Sequence, residues 1–168
     1  MEAVQGIDRI ILFRKLSEAS TKAATKLAYQ TDHSIGITND GTVDDTKDGA
    51  VHSAGNPAYD FNITSIMARG DEEVKNIKEA VLDGDMYEFW EIDRVEEGTV
   101  GNVGKFAATY YRGRFTSFST SNGVNNSVEL SLDVQIVGRG QDGWATLTED
   151  QAEVVQYTFQ DTTITPAG

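Results

Sequence analysis

The sequence predicts a mainly β, mostly antiparallel domain with one packed helix and one long loop. The first observation behind this is that apolar and polar residues alternate over long stretches, as in strands with one buried face and one solvated face. The second is that only residues 71–83 show the spacing of three and four between apolar residues that an amphipathic helix requires. The third is an acidic stretch, residues 38–56, that has almost no large apolar side chain.

Composition limits the possible classes of protein. A chain of 168 residues suits a single domain, spanning residues 1–168, with a core large enough to need no crosslinks. The absence of cysteine excludes disulfides and thiolate metal ligands. A net charge of -13 opposes tight binding to nucleic acid, because affinity for phosphates depends on clustered Lys and Arg. No apolar run approaches the roughly 20 residues of a membrane span, and the first residues lack a secretion signal, so we expect a soluble protein of the cytoplasm.

Taken in order, the amino-terminal residues predict two strands. Residues 7–16 carry apolar groups on both faces, which indicates a strand covered on both sides. Residues 26–37 form a second candidate strand, and the stretch between the two, residues 17–25, is either loop or weak helix. A third strand follows at residues 57–67. Its apolar face comprises Tyr59, Phe61, Ile63 and Met67.

The acidic stretch between the second and third strands is predicted to be a loop. Its carboxylates are Asp40, Asp44, Asp45 and Asp48, and it also contains glycines. Such a composition cannot bury enough apolar surface to fold on itself. Loops of this length inside a compact domain are usually functional or disordered.

The predicted helix begins after Asp71, which can cap it, and ends before Gly84. Its apolar stripe comprises Val74, Ile77 and Val81, aided by Leu82. Such a stripe must lie against a sheet. Residues 86–95 then resume extended structure and are rich in aromatic side chains.

The clearest pattern in the chain predicts a long hairpin over residues 105–139. In its second strand, apolar residues alternate with polar ones for nine positions. The apolar set, predicted to lie in the core, is Val128, Leu130, Leu132, Val134 and Ile136, and the polar set is Glu129, Ser131, Asp133 and Gln135. The first strand, residues 105–120, contains Gly113 as a candidate bulge. Between the strands, Asn122-Gly123 provides the chemistry of a tight turn. Beyond the hairpin we expect a short helical turn at residues 149–155 and a final strand or extended tail at residues 157–165.

Several fragments imitate functional sites. Residues 138–143 match G-x-G-x-x-G, but no helix follows, so we interpret them as a flexible turn. Residues 44–49 resemble the start of a calcium loop, yet the twelfth position is Gly55 rather than glutamate. His33 and His52, the two histidines, are interpreted as surface residues. The residues therefore predict no catalytic site, no metal and no cofactor, and we expect a protein that is not an enzyme.

Four segments resemble, in the same order, the major tail protein family of siphophages of Gram-positive bacteria. They are residues 7–16, Ala68-Arg69-Gly70-Asp71, Tyr110-Tyr111-Arg112-Gly113 and residues 140–148. The resemblance implies a tail tube protein, which is a β-sandwich or barrel with a flanking helix. It implies a structural virion protein, assembled in the host cytoplasm as hexameric rings that stack into a hollow tube for genome ejection.

The resemblance also implies partners and surfaces. The partners are other copies of the chain, a tape measure protein in the lumen, tail terminator and distal tail or baseplate proteins, and double-stranded DNA that passes without tight binding; no membrane is involved. We expect the acidic loop to stack rings and to become ordered on assembly. Alternation alone does not decide between lumen and exterior for the polar face of the hairpin. We assign Glu129, Ser131, Asp133 and Gln135 to the lumen because a wide barrel needs long, regular strands.

Two other classes of function are compatible with the residues. One is a carbohydrate- or receptor-binding β-sandwich module, which would expose a platform of aromatic side chains. The other is a hydrolase whose site is dispersed along the sequence.

Overall fold

A computed structural model describes residues 1–148 of the protein. Within that part, the chain forms eight strands and one α-helix. Their bounds are β1 Arg9–Lys15, β2 Tyr29–Asn39, β3 Thr42–Thr46, β4 Gly49–Ser53, β5 Pro57–Ile66, α1 Glu72–Asp83, β6 Tyr87–Glu97, β7 Lys105–Ser121 and β8 Glu129–Thr146. The helical turn and the last strand predicted at residues 149–155 and 157–165 lie outside the described residues.

Six of these strands form one antiparallel sheet in the order β1-β6-β7-β8-β5-β2, and among residues 1–148 β3 pairs only with β4. The mainly β, antiparallel fold class with one helix is therefore confirmed. The hairpin of β7 and β8 lies at the centre of the sheet, with Phe115 opposite Val134. This position explains the clean alternation in β8, because a central strand packs along its whole length.

The predicted turn at residues 138–143 is wrong. Strand β8 continues through it to Thr146, which pairs with Lys105. The only local disturbance is a bulge, since Val137 pairs with Arg112 and Gln141 already pairs with Tyr110. Two glycines serve this bulge: Gly138 has a φ of 76°, and a Cβ atom on Gly140 would lie 2.5 Å from the ring of Tyr111.

The parity shift predicted at Gly113 is also misplaced. The extra residue in β7 is Thr116, because Phe115 pairs with Val134 and Ser117 pairs with Asp133. Gly113 serves a different purpose: a Cβ atom there would lie 2.2 Å from the Gln135 carbonyl oxygen, so only glycine allows the strands this approach.

The two edge strands of the sheet meet at one end, so the sheet curls towards a barrel. The backbone N–H of Ile11 in β1 donates to Gln30 Oε1 at 2.9 Å, and Gln30 Nε2 donates to the Ile11 carbonyl at 3.2 Å. Next to them, Phe13 and Thr25 exchange two backbone hydrogen bonds of 2.8 and 2.9 Å. Residues 17–25, left undecided above, are a loop that begins with a single 3-10 turn.

The main core lies between α1 and one face of the sheet. Helix α1 begins where Asp71 accepts a hydrogen bond of 3.1 Å from the Glu73 N–H, and it ends at Gly84, which has a φ of 72°. Its buried residues are Ile77 and Ala80, whereas Leu82 is exposed, which corrects its place in the stripe. The burial of the remaining predicted core residues is as follows: Leu130, Leu132 and Val134 are buried, and Val74, Val81, Val128 and Ile136 are partly buried.

A smaller core lies on the other face, next to β1 and β6. It contains Ile10, Leu12 and Ile92, against which Trp90 and Phe106 pack. Strand β1 is therefore covered on both sides, as its apolar residues on both faces indicate.

The buried side chain of Tyr87 should make the folded state less stable at alkaline pH. Burial, assisted by nearby carboxylates, raises the pKa of Tyr87 from 10.0 to about 12. Because the folded state holds this proton more tightly than the unfolded state, the free energy of unfolding should fall as pH rises from 10 to 12. The expected loss is at most about 2–3 kcal/mol. Urea unfolding across this range measures it, and the Tyr87→Phe variant should show a smaller decline; equal declines would contradict the assignment.

Candidate functional site

The first candidate surface is the acidic segment, which is a hairpin and not the predicted loop. Strands β3 and β4 pair from Thr42 opposite Ser53 to Thr46 opposite Gly49. Every residue of both strands is exposed, so the ladder of backbone hydrogen bonds holds the hairpin without a buried face. The prediction from composition considered only how much apolar surface the segment could bury. The β-branched threonines and valines favour strands, and Gly49, with a φ of 121°, follows the two turn residues Lys47 and Asp48.

A close approach of two backbone segments fixes the base of this hairpin. A Cβ atom on Gly55 would lie 2.0 Å from the carbonyl oxygen of Asp40, and one on Gly41 would lie 2.5 Å from that of Ser53. Both positions therefore require glycine. The hairpin leaves the sheet where β2 ends and β5 begins, since Asn39 and Pro57 are paired.

Charge and apolar groups are distributed over both faces of the hairpin. Asp44 and Asp45 lie in β3, Asp48 lies in the turn, and Asp40 lies at the base. Val43 is paired with His52, and Val51 with Asp44, so the two valines point to opposite faces. Val43 is 57% exposed and Val51 is 50% exposed. The hairpin therefore carries one exposed valine on each face.

The second candidate surface is the sheet face opposite α1. The alternation in β8 places Glu129, Ser131, Asp133 and Gln135 together on this face. Asn62 of β5 extends the polar surface, because its Nδ2 donates to Asp133 Oδ1 at 2.9 Å and to Ser131 Oγ at 3.3 Å. On the other side, Ser117 and Ser119 of β7 pair with Asp133 and Ser131. Arg114 of β7 is exposed and pairs with Gln135, so it shares this face. The result is a surface of hydroxyl, amide, carboxylate and guanidinium groups, which we call the polar face.

A network of four side chains borders the polar face. The buried carboxylate of Glu88 accepts hydrogen bonds from Arg14 Nε at 2.7 Å and from the Tyr110 hydroxyl at 2.6 Å. That hydroxyl accepts in turn from Arg112 Nε at 2.9 Å. Burial raises the pKa of Tyr110, and the hydrogen bond to Glu88 raises it further. Sequence reasoning missed this network because three strands contribute to it.

The interpretation of both histidines as surface residues is wrong for His33. Its Nε2 lies 2.8 Å from Glu91 Oε2, and the two side chains are only 11% and 12% exposed. Arg9 pairs with the other oxygen of Glu91 at 2.8 Å. These residues lie far apart in the sequence and meet only because the sheet curls, whereas His52 is exposed.

Among residues 1–148, no group of three or more His, Cys, Asp or Glu side chains is placed to hold a metal ion. Within the same residues, no helix is long and apolar enough to span a membrane.

The described residues thus form a β protein with a curled antiparallel sheet, one flanking helix, a polar face and a separate hairpin. Residues 3–142 match the family model described as phage tail tube protein. The chain therefore belongs to the phage tail tube protein family, and it is a structural, tube-forming component of the virion.

Two relatives support this assignment. A putative tail protein of Staphylococcus phage phiMR25 is 34% identical over 159 residues, which cover 93% of this chain and 81% of the relative. The tail tube protein gp17.1* of Bacillus phage SPP1 is 30% identical over 160 residues, which cover 94% of this chain and 59% of the relative. The chain thus matches somewhat more than half the length of the SPP1 protein.

Solved structures agree with the family. The SPP1 tail tube structure matches with a TM-score of 0.77 at 25% identity, covering 94% of this chain and 91% of that one. The tail of a gene transfer agent particle, refined with C6 symmetry, matches with a TM-score of 0.62 at 14% identity, covering 83% of this chain and 98% of that one. The second match shows a shared fold.

Proposed function

We propose that copies of this chain form hexameric rings that stack into the tail tube, and that this tube is the conduit for genome ejection. The observation that carries the proposal is the match to the SPP1 tail tube structure, which covers 94% of this chain and 91% of the chain in that structure. The choice of six copies is supported by the C6 symmetry of the gene transfer agent tail, which shares the fold. In this function the chain acts by geometry and charge, without catalysis.

The hairpin of β3 and β4 is the ring-stacking element in this proposal. Asp40, Asp44, Asp45 and Asp48 belong to it, and they are the residues assigned to stacking from the sequence. What supports the role is that the hairpin projects from the sheet, is exposed throughout and carries an exposed valine on each face. Such an element contributes little to its own domain and offers contact area to another copy.

The polar face lines the lumen in this proposal, with Glu129, Ser131, Asp133 and Gln135 on it. Carboxylates there repel DNA phosphates, and hydroxyl and amide groups keep the surface hydrated. Glu129 and Asp133 outnumber the one arginine paired with this group, Arg114 opposite Gln135, so the salt-dependent attraction that each Lys or Arg contact adds stays small and DNA slides past. The tape measure protein would occupy the same lumen before the DNA does, and terminator and distal tail or baseplate proteins would close the two ends of the tube.

Electron microscopy of the purified protein tests the tube directly. We expect hollow tubes or rings at high protein concentration, in the presence of the tail initiator and tape measure proteins if nucleation needs them. End-on views should show sixfold symmetry. A protein that stays monomeric under all of these conditions would refute the proposal, and rings with another symmetry would correct only the number of copies.

A further inference from the structure

We propose that a pocket between α1 and the loop of residues 17–25 binds an aliphatic polyamine, a linear molecule that carries several ammonium groups. The pocket lies on the helix side of the sheet, away from the polar face and from the hairpin of β3 and β4. Its cavity has a volume of about 200 Å³. Pockets that enclose drug-sized ligands measure roughly 300–1,000 Å³, so this one suits a thin chain and excludes a bulky ring system.

The lining of this pocket holds more carboxylates than cations. The carboxylates are Glu18, Glu73, Glu79, Asp83 and Asp85, and the cations are Arg14, Lys15 and Lys22. Each of the three cations already forms an ion pair with a carboxylate, at distances between 2.7 and 3.3 Å. Glu79 lies 4.0 Å from Lys75 at an exposed position, and among residues 1–148 neither Glu73 nor Asp83 forms an ion pair. A cationic ligand would therefore complete the charge balance of the pocket.

The buried side chain of Tyr87 is a second, independent sign of a ligand. Tyr87 lines the pocket and is only 4% exposed, because its ring packs against three core phenylalanines at centroid distances of 5.1 to 6.4 Å. The carboxylates that act on its hydroxyl electrostatically all line the pocket, so the hydroxyl faces the pocket. Within residues 1–148 this hydroxyl forms no hydrogen bond. Buried hydroxyl groups normally have a partner, and an N–H group of a ligand can be that partner.

The partly buried carboxylate of Glu73 is the anion that such a ligand would neutralise. Burial raises the pKa of Glu73, and the charges of Asp71 and Glu18 raise it further, whereas the hydrogen bond to Asn76 and the charge of Lys22 lower it. The net direction is upward, so the surroundings stabilise the ionised carboxylate less well than water does. An ammonium group that donates to Glu73 would supply a charge-assisted hydrogen bond and reverse this deficit.

The spacing of the carboxylates favours a polyamine over a metal ion. Glu73 lies in the first turn of α1 and Asp83 is the last residue of the helix, so about 15 Å of helix separates them. Within residues 1–148, no three such groups converge on one point, as a metal ion requires. A linear polyamine spreads its ammonium groups over a comparable length, and its methylene groups can lie against Phe13 and Ala23, which also line the pocket.

Isothermal titration calorimetry of the full chain with spermidine at pH 7 tests the site. The net charge of -13 attracts any polycation, so the variants must separate the pocket from the rest of the surface. Glu73→Gln should raise the Kd for spermidine about tenfold, whereas the matched control Asp45→Asn, which removes the same charge from the exposed hairpin, should change it less than about twofold. Tyr87→Phe should raise the Kd about threefold without any change in charge, because it removes only the hydroxyl.

A measurement on the wild-type protein does not depend on the folding of any variant. In a spermidine titration followed by NMR, the side-chain carboxyl carbon of Glu73 should shift and saturate with one equivalent bound, whereas those of Asp44 and Asp45 should show no saturable shift. Mg²⁺ at the same ionic strength should leave the Glu73 signal without a saturable shift, because the carboxylates do not converge on one ion.

Three results would overturn the polyamine site. The first is an equal Kd for the wild type, Glu73→Gln and Asp45→Asn, which would show that only net charge attracts spermidine. The second is a Glu73 signal that does not saturate, or that responds to Mg²⁺ as it does to spermidine. The third is the loss of saturable binding in assembled tubes, which would show that a basic side chain of another copy takes the pocket. None of these results bears on tube formation itself, so the proposed function stands or falls separately.

Discussion

Replacement of residues 40–56 by an Asn-Gly turn is expected to abolish tube growth and leave the domain folded. Asn39 and Pro57 are paired, so a two-residue turn can join β2 directly to β5. All residues of β3 and β4 are exposed, and the core therefore loses almost nothing. The free energy of unfolding should change by less than about 1 kcal/mol, whereas the stacking contact disappears completely.

Two measurements and one control separate folding from assembly in this experiment. Urea unfolding reports the stability of the variant, and electron microscopy reports tube length. The control variant carries Asp44→Asn, Asp45→Asn and Asp48→Asn, which keep the shape of the hairpin and remove most of its charge. It should still stack, with a weaker dependence on salt. Tubes of normal length from the variant that lacks the hairpin would rule out the stacking role.

The central strands of the sheet could be predicted from the sequence because the burial of one face makes apolar and polar residues alternate. In β8, one face packs against the core and the other is exposed to solvent. Apolar residues such as Leu130 therefore alternate with polar residues such as Asp133, and the alternation shows which face each residue occupies. The hairpin of β3 and β4 has no buried face and therefore no alternation to detect. The bulge at Thr116 could not be predicted for a related reason. It is a feature of the pairing between β7 and β8, which the sequence of β7 alone does not specify.

In the candidate surfaces, the contacts between residues far apart in the sequence are the part that could not be predicted. His33 and Glu91 are 58 positions apart and meet because the sheet curls, and no local pattern encodes that curl. The same holds for Glu88 with Arg14 and Tyr110, which come from three different strands. By contrast, the four polar residues of β8 occupy one face simply because side chains alternate along a strand. The sequence could therefore group the lumen candidates, whereas the orientation of that face in a tube depends on other copies.

Conversion of Glu129 and Asp133 to lysine is expected to leave tubes intact and to slow DNA ejection at low salt. Folding should survive, because Asn62 Nδ2 loses Asp133 but keeps the Leu132 carbonyl at 3.1 Å. In a lumen, the new cations would bind phosphates, and such binding weakens with salt by a log-log slope of roughly 0.9 per contact.

The experiment compares ejection rates of assembled virions at low and high salt. A control with Glu79→Lys and Asp83→Lys makes the same change in charge on the exposed side of α1, across the sheet from the polar face. The two variants should differ at low salt and converge at high salt, since screening removes the attraction. If the variant with lysine at positions 129 and 133 ejects DNA at the wild-type rate in low salt, these carboxylates do not face the lumen, and the polar face must lie on the outside of the tube.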